Sequence, residues 1–171
     1  MENRKIRVGI THGDINGVGY EVILKSFSDP TMLELCTPVV YGSPKVAAYH
    51  RKAMEIQTSF SIVNSAEEVQ DGRVNVVNCI EEELKVELTK PTPEAGKAAL
   101  AALERALADY REGLFDVLVT APINKHTIQS DAFHFPGHTE YIEERVGEGQ
   151  KALMILLKGD FRVALVTGHV P

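Results

Sequence analysis

The sequence predicts an α/β protein with a three-layer α/β/α arrangement, in which helices cover both faces of a largely parallel sheet. Apolar, strand-like runs alternate along the chain with segments of helical periodicity, the order expected for an α/β fold. These runs are mostly apolar, as is typical of strands buried on both faces. Glycines and polar residues cluster where four of the strands end, and that edge of an α/β sheet is where ligands gather.

The first four predicted elements form two strand–helix pairs. A buried strand over Ile6–Thr11 precedes a helix over 17–27, whose apolar residues recur at i,i+4. A second strand covers 38–41. Ser43 is then the expected N-cap of a helix over 44–56, because serine accepts a hydrogen bond from the first helical turn and Pro suits the first helical position.

The middle of the chain predicts two short strands, over 60–63 and 74–78, with a turn between them. The strongest helical signal follows: Thr92 is the expected N-cap, Pro93 the first helical residue, and Gly113 the residue that ends the helix. Four side chains fall at helical spacing along it: Leu100, Leu103, Leu107 and Tyr110.

The last third of the sequence predicts four further elements. A buried strand covers 115–122 and a short helix covers 139–146. Two strands over 152–157 and 161–167 follow, and a tight turn at Gly159 joins them.

Composition limits the classes of function. The chain has 171 residues, enough for a core, and it carries a net charge of −6 with no run of Lys or Arg. Nucleic acid is not expected as a partner, because phosphate backbones require a basic face. No secretory h-region and no apolar stretch of membrane-spanning length occur, so we expect a cytoplasmic protein without a membrane partner. Cys36 and Cys79 have no CxxC spacing and are expected to be reduced.

The segment THGDINGVGYE places glycines between the first strand and the first helix. Gly13, Gly17 and Gly19 allow two interpretations: a loop that approaches a phosphate or cofactor, or a tight turn needed only for packing. The spacing G-x-x-x-G-x-G is not the dinucleotide-binding fingerprint, and the second strand ends without an acidic residue to hold a ribose. If NAD binds, it does not bind in the usual Rossmann manner.

The segment FPGHTEYIEE places His138 and Thr139 at the start of a predicted helix. Thr139 is the expected N-cap, which is a sufficient structural reason for a threonine there. A cap does not explain the neighbouring histidine. Two polar groups at the positive end of a helix shift the interpretation toward an anion site for phosphate or carboxylate.

Other polar residues near strand ends are weaker candidates. His169 follows an apolar strand and is well placed for a metal ligand, although one histidine does not make a metal site. His12 follows the first strand and is a candidate for the same cleft. His50 is expected to face solvent from an exposed part of a helix. Asn124 and Lys125 follow a buried strand, where the lysine could meet an acidic ligand or simply be solvated.

Four segments taken together resemble one enzyme family. HGDINGVGYE, VTAPINK, FPGHTEY and RVALVTGHVP are similar, in order and spacing, to the 4-hydroxythreonine-4-phosphate dehydrogenase family of vitamin B6 biosynthesis. The first loop also resembles that of the isocitrate/isopropylmalate dehydrogenase superfamily, whose fold the resemblance implies. The resemblance to the 4-hydroxythreonine-4-phosphate dehydrogenase family covers the whole chain, but only about the first half of a family member. It therefore implies that 1–135 is most of a first domain, 136–171 starts a second, and the C-terminal half is absent.

The resemblance implies a reaction and its cofactors. Family members oxidise the secondary alcohol of 4-phosphohydroxy-L-threonine with NAD, and the resulting β-keto acid loses carbon dioxide to give 3-amino-2-oxopropyl phosphate. A divalent metal (Zn, Mg or Co) held by three histidines acts as the Lewis acid. By motif, His138 and Thr139 are implied to bind the phosphorylated substrate and His169 to bind the metal. Family members are homodimers. The resemblance does not identify catalytic or cofactor-binding residues within this chain.

Two departures leave alternatives open. The family loop reads G-D-P-A-G-I-G-P-E, so Ile15 and Tyr20 replace two prolines, and Gly168 stands where threonine is common. Both changes could reflect a different substrate, such as D-threonate or D-erythronate 4-phosphate. A non-catalytic phosphometabolite-binding module on the same scaffold is a further alternative, and a metal-dependent phosphohydrolase a weaker one. The 171-residue chain alone is expected to be inactive, because one histidine cannot hold a catalytic metal well.

Overall fold

The computed structural model describes residues 4–81 and 83–167 of the chain. These residues fall into two compact units, Met1–His134 and Phe135–Pro171, and each unit is described by itself. Within the described residues, no helix combines the length and the apolar character needed to cross a bilayer.

The first unit consists of five strands and four α-helices, with one short 3₁₀ helix, among its described residues. In chain order they are β1 (Ile6–Thr11), α1 (Gly19–Ser26), α2 (Pro30–Leu35), β2 (Cys36–Gly42), α3 (Pro44–Ala53), β3 (Phe60–Val63), the 3₁₀ helix Ala66–Glu68, β4 (Val74–Asn78), α4 (Pro93–Arg111) and β5 (Val117–Thr120). The second unit contains α5 (His138–Val146), β6 (Ile155–Lys158) and β7 (Phe161–Ala164).

The five strands of the first unit form one parallel sheet in the order β3-β4-β2-β1-β5. The chain first builds the sheet outward from β1 through β2, and then returns through α4 to add β5 on the other side of β1. The predicted α/β class is therefore confirmed. The order also places the loops after β1 and β5 side by side at the carboxyl edge, where ligands bind in this class of fold.

The two faces of the sheet bury different clusters of side chains, because successive residues of a strand point to opposite faces. Val40 belongs to a cluster with residues of α1 and α3, such as Ile23 and Val46. Val39 belongs to a second cluster with Ala102 of α4. Helices therefore cover both faces, as the sequence predicted.

The predicted helix starts are confirmed where the sequence offered a capping side chain. The Ser43 hydroxyl accepts a hydrogen bond from the Val46 amide at the start of α3, and the Thr92 hydroxyl accepts one from Ala95 at the start of α4. Alanines, rather than leucines alone, form most of the buried face of α4, which lets the helix approach the sheet closely. Gly113 ends it with a positive φ of 71°.

Helix α2 is an element that the sequence analysis did not predict. Asp29 caps it through a hydrogen bond from the Thr31 amide, and Pro30 occupies the first helical position. None of its residues is fully buried, so it lacks the apolar stripe on which prediction depends. The sequence did contain two signals for this helix, namely its capping residue and the proline at its first position.

Asn75 holds together the short parallel crossover between β3 and β4. Its side chain is fully buried, and its amide nitrogen lies 3.0–3.2 Å from the carbonyl oxygens of Pro38, Gln70 and Arg73. Its amide oxygen accepts a hydrogen bond of 2.9 Å from the Gln70 amide. One side chain therefore satisfies backbone groups that the tight connection would otherwise bury without partners.

The second unit ends in an antiparallel hairpin of β6 and β7, as the sequence predicted. Gly159 turns it with a positive φ of 56°, and Ile155 pairs with Ala164 at its open end. Every residue of both strands is exposed, including Leu157 and Phe161. The sequence predicted buried strands here, and the described residues do not bury them.

We predict that Asn75→Ala lowers the free energy of unfolding by about 2–4 kcal/mol, because it leaves several buried backbone groups without partners. Urea denaturation measures the change. Asn78→Ala at the exposed end of the same strand is the matched control and is expected to change stability by less than about 1 kcal/mol. Equal effects of the two substitutions would contradict the role given to Asn75.

Candidate functional site

The loops after β1 and β5 lie in direct backbone contact at the carboxyl edge of the sheet. The Asp14 amide donates a hydrogen bond of 2.9 Å to the Pro122 carbonyl, and the Ala121 amide donates one of 3.1 Å to Thr11. Gly13 has a positive φ of 70°, and a β-carbon there would overlap the Pro122 carbonyl oxygen. Only glycine fits at this position, because both the conformation and the space exclude a side chain.

The other two glycines of the first loop differ in what they permit. A β-carbon on Gly19 would overlap the carbonyl oxygen of His12, so α1 packs directly on the end of β1. A β-carbon on Gly17 would make only ordinary contact with Asp14, 3.4 Å from its carbonyl oxygen. Close packing therefore accounts for Gly13 and Gly19, which favours the tight-turn interpretation for them, and it does not account for Gly17.

Asn16 fixes the loop to the segment that leads into α4. Its side-chain nitrogen donates to the Lys90 carbonyl at 2.9 Å, and its side-chain oxygen accepts from the Glu87 amide at 2.8 Å. Its own carbonyl accepts a third bond from the Thr89 amide at 3.0 Å. Asn16 is 3% exposed, so these bonds are shielded from water and hold the loop in one conformation.

His12 is buried against the interior instead of facing a cleft, so the expectation for it was wrong. Its Nε2 lies 3.2 Å from the Ala98 carbonyl and must donate the proton, since a carbonyl only accepts. Its ring stacks on Tyr20, with centroids 5.3 Å apart. Its Nδ1 is buried and has no partner among the described residues.

His50 is also buried, which corrects the prediction that it faces solvent. Its Nε2 donates to the Ile15 carbonyl at 2.8 Å, and its ring stacks on the other face of Tyr20 at 5.5 Å. The sequence held the signal, because His50 lies at i+4 from Val46 and at i+3 from Ala47, which are both buried. A polar residue on an apolar stripe of a helix is expected to be buried and to have a hydrogen-bond partner.

Burial is the main reason that the pKa of His12 is lowered, to about 4. The bond to the Ala98 carbonyl acts in the opposite direction and is outweighed, and the nearby His50 lowers the pKa further. The ring is therefore neutral at physiological pH. A neutral, enclosed imidazole that already donates one bond supports the loop and does not reach a substrate.

The loop after β5 contains Asn124 and Lys125, and the structure separates their roles. The Asn124 side-chain oxygen accepts hydrogen bonds from the amides of His126 and Thr127, at 3.0 and 3.2 Å, and so caps a local turn. Lys125 is exposed, and its ammonium has no ion pair within residues 4–81 and 83–167. Of the two, Lys125 is the group able to meet an anion.

His138 and Thr139 lie in the second unit, at the start of α5. The helix begins at His138, one residue earlier than predicted, and its N-cap is Gly137 without a side-chain hydrogen bond. The assignment of Thr139 as N-cap was therefore wrong: its hydroxyl does not cap the helix, and the residue is exposed. His138 is half-buried. Both residues lie in the first turn of α5, where anions are favoured, and both remain candidates for an anion site.

Metal binding has no support among the described residues. No group of three or more His, Cys, Asp or Glu side chains in residues 4–81 and 83–167 could hold a metal ion. His169, the predicted metal ligand, lies outside the described residues. The donor set that the resemblance implies is therefore incomplete in this part of the chain.

A groove of about 410 Å³ lies beside the end of β4 and the first half of α4. Apolar and charged side chains line it, among them Ile80, Leu84, Ala98, Glu81, Glu94 and Lys97. Cys79 also lines it, and burial raises the pKa of this thiol to about 12, so the thiol is not a nucleophile at neutral pH. Both cysteines are free, as expected.

Comparison with known proteins decides the family. The family model described as "Pyridoxal phosphate biosynthetic protein PdxA" matches residues 34–171. The chain belongs to the PdxA family. It is 74% identical over its full length to 4-hydroxythreonine-4-phosphate dehydrogenase of Bacteroides thetaiotaomicron, of which it covers 47%. It is 31% identical to D-threonate 4-phosphate dehydrogenase of Cupriavidus necator, with 95% of this chain and 49% of that protein covered.

Solved structures agree with the PdxA assignment and with the predicted fold. The crystal structure of a 4-hydroxythreonine-4-phosphate dehydrogenase from Burkholderia phymatum matches with a TM-score of 0.85 and 28% identity. It is matched over 99% of this chain and 52% of its own length. The chain therefore spans about half the length of the relatives that it matches, and the resemblance inferred from four sequence segments is confirmed.

The departures from the PdxA loop sequence have a packing role. Ile15 and Tyr20, the two residues that depart from the proline pattern expected from the resemblance, are each 1% exposed, and the neighbouring Asn16 is 3% exposed. Tyr20 lies between two imidazoles, and its hydroxyl bonds to both the amide and the carbonyl of Ser43. These three residues fill the interior of the loop and do not line a cleft. Gly168, the other departure, lies outside the described residues.

Stability should fall in acid through His12. Its pKa is about 4 when folded and 6.5 ordinarily, so the unfolded chain takes up the proton first as pH falls. The free energy of unfolding therefore loses about 3 kcal/mol from this group between pH 6.5 and pH 4. His12→Gln should reduce the fall by that amount in denaturation at each pH. His126→Gln on the exposed loop is the control, and equal pH profiles for both variants would contradict the assignment.

Proposed function

We propose that the full-length protein containing this chain oxidises and decarboxylates 4-phosphohydroxy-L-threonine with NAD, in vitamin B6 biosynthesis. In this reaction a hydride passes from the secondary alcohol carbon to NAD, and the hydroxyl proton is released. The ketone formed lies β to a carboxylate, which leaves as carbon dioxide, and the α-carbon then takes up a proton to give 3-amino-2-oxopropyl phosphate. The observation that supports this most directly is the 74% identity, over all 171 residues, to a relative named for that substrate.

D-threonate 4-phosphate is the second candidate substrate, and D-erythronate 4-phosphate shares its chemistry. The support is the 31% identity to a PdxA relative named for D-threonate 4-phosphate. Identity to the 4-hydroxythreonine-4-phosphate dehydrogenase of Bacteroides thetaiotaomicron is much higher, at 74%. The buried positions of Ile15 and Tyr20 also remove one argument for a changed substrate, because these residues pack inside the loop. We therefore place 4-phosphohydroxy-L-threonine first.

The proposed substrate-binding residues are His138 and Thr139 at the start of α5. A phosphate bound there would meet the positive end of the helix, and the imidazole and hydroxyl would donate hydrogen bonds to it. His169 is proposed as one ligand of a divalent metal, with the remaining ligands beyond residue 171. Catalytic and cofactor-binding residues are not assigned within this chain.

We also propose that the chain is the N-terminal portion of a two-domain protein, with 1–135 as most of the first domain and 136–171 as the start of the second. The division into Met1–His134 and Phe135–Pro171 supports this boundary. The exposed apolar residues of β6 and β7 support it as well, because such strands are usually covered. A homodimer with sites built from both subunits completes the proposal.

The 171-residue chain alone is expected to form no NADH, and the full-length protein to form it readily. The test is NADH production with 4-phosphohydroxy-L-threonine and with each four-carbon acid phosphate, with metal content measured in parallel. Higher kcat/KM on 4-phosphohydroxy-L-threonine supports the first candidate. Robust turnover by the 171-residue chain would refute the division of the site. A full-length protein that binds phosphate without turnover or metal would be a binding module instead.

His138→Ala and Thr139→Ala in the full-length enzyme are expected to raise KM for the phosphorylated substrate and to lower kcat/KM by roughly tenfold or more, because each removes a hydrogen bond to a charged group. His134→Ala, which changes an exposed histidine four residues earlier, is the matched control and should leave both constants unchanged. Steady-state kinetics measures both. An unchanged KM in His138→Ala would exclude that residue from the substrate site.

A further inference from the structure

The pair Asn16–Gly17 in the first loop combines the two groups that react in asparagine deamidation. In that reaction the backbone nitrogen of the following residue attacks the side-chain carbonyl carbon of the asparagine. Glycine in the second position favours the attack, because it has no β-carbon to obstruct it and its backbone is the most mobile. The sequence Asn–Gly occurs once in the chain, at these two residues. Close packing does not account for Gly17, so packing alone does not explain this pair.

The closed loop engages both reacting groups with other partners. The Asn16 side-chain nitrogen donates to the Lys90 carbonyl at 2.9 Å, and its oxygen accepts from the Glu87 amide at 2.8 Å. The Gly17 amide proton, which must leave before the nitrogen attacks, is donated to the Asp14 carbonyl at 3.0 Å. Asn16 is 3% exposed, so water has little access to its side chain. The reaction therefore requires the loop to open first.

One residue that closes the loop has a strained backbone. Thr89 has a φ of 69°, in the left-handed region that β-branched residues rarely adopt. Its amide donates to the Asn16 carbonyl at 3.0 Å, so the strained turn and the first loop hold each other in place. Strain of this kind persists only where surrounding contacts enforce it. Loss of the Asn16 contacts would therefore let the turn at Thr89 relax.

We propose that Asn16–Gly17 is a deamidation site that is protected while the first loop is closed, and that reaction in an opened loop prevents it from closing again. The Gly17 nitrogen loses its proton and bonds to the side-chain carbonyl carbon of Asn16, and ammonia leaves. Water then opens the resulting five-membered ring at either carbonyl and gives aspartate or isoaspartate. The reaction needs only water, and nothing is oxidised or reduced.

Both products fit the closed loop poorly. An aspartate carboxylate only accepts hydrogen bonds, so it would face the Lys90 carbonyl with no proton between the two oxygens. It would also bury a negative charge at a site that holds a neutral amide. Isoaspartate adds a carbon to the main chain and shifts the backbone groups that follow it. The proposal concerns the first unit and does not depend on the proposed activity or substrate.

The test follows the conversion of Asn16 from amide to acid in the full-length protein, by peptide mapping and mass spectrometry during incubation at neutral pH. We expect conversion in the folded protein to be at least about tenfold slower than in the same protein unfolded in urea, because only the open fraction reacts. Equal rates in the two states, or no conversion in the unfolded protein, would overturn the proposal.

Gly17→Ala tests the chemistry of the pair. The added β-carbon should slow conversion of Asn16 in the unfolded protein, because it obstructs the attack. It makes only ordinary contact with the Asp14 carbonyl oxygen, 3.4 Å away, so the loop still closes. Asn64, which is exposed and followed by serine, is the internal control, and its rate should not change. Undiminished conversion of Asn16 in Gly17→Ala would contradict the proposed reaction.

Thr89→Pro tests the requirement for opening. Proline has no amide to donate to Asn16 and does not adopt a positive φ, so conversion of Asn16 in the folded protein should rise by at least about tenfold. Lys90→Ala is the matched control, because it removes an exposed side chain and keeps the carbonyl that Asn16 contacts. Conversion no faster in Thr89→Pro than in the wild type would overturn the role of the loop.

Asn16→Asp tests the consequence of the reaction, since it carries one of the two products from the start. Hydrogen exchange at the Glu87 and Thr89 amides, which donate to Asn16 in the closed loop, should be faster in this variant than in the wild type. This measurement does not depend on how well Thr89→Pro folds. Unchanged exchange at both amides would show that the loop closes over aspartate, and that result would overturn the proposal.

Discussion

The hydrogen bond from the Asp14 amide to the Pro122 carbonyl joins the ends of two neighbouring strands, and it leaves no space between the loops that follow them. Gly13 is required by this approach, since a β-carbon would overlap that same carbonyl oxygen. Gly19 then lets α1 start directly on the end of β1. Backbone packing therefore closes the carboxyl edge of the sheet between β1 and β5. The order of the strands reverses here, since β2 lies on one side of β1 and β5 on the other.

The side chains around this contact reinforce it. Asn16 bonds the first loop to the segment before α4, and Tyr20 is held between His12 and His50. Buried hydrogen bonds and stacked rings therefore restrain the first loop. The polar residues of this edge are thus mostly structural, which leaves Lys125 as an exposed cation beside it.

Much of the fold could be predicted because local chemistry agreed with the final packing. Ser43 and Thr92 were identified as caps because their side chains satisfy the backbone of the helix that follows them. Thr139 was misassigned because α5 begins one residue earlier than predicted, with Gly137 instead of a polar side chain at the N-cap, and the local sequence does not indicate that. Strand pairing across the sheet, such as β1 with β5, is a long-range property that periodicity does not encode.

The candidate site was predicted less completely than the fold. A histidine carries the same letter whether it supports a loop or faces a ligand, and the packing around the ring decides which. The apolar neighbours Val46 and Ala47 indicated burial of His50, whereas no local pattern indicated that the ring of His12 would donate to α4. His138 and Thr139 were predicted as an anion site from their place at the start of a helix, and the resemblance to a family motif then implied that they bind the phosphorylated substrate.

The pairing of β1 with β5 also affects how the chain folds while it is being synthesised. The Arg7 amide donates to the Asp116 carboxylate, a bond that joins residues 109 positions apart at the base of these two strands. A nascent chain leaving the ribosome therefore exposes one edge of β1 until β5 and α4 have emerged. Late closure of a parallel sheet is slow and leaves an open strand edge. During translation, we expect this exposed edge of β1 to be a binding site for a chaperone.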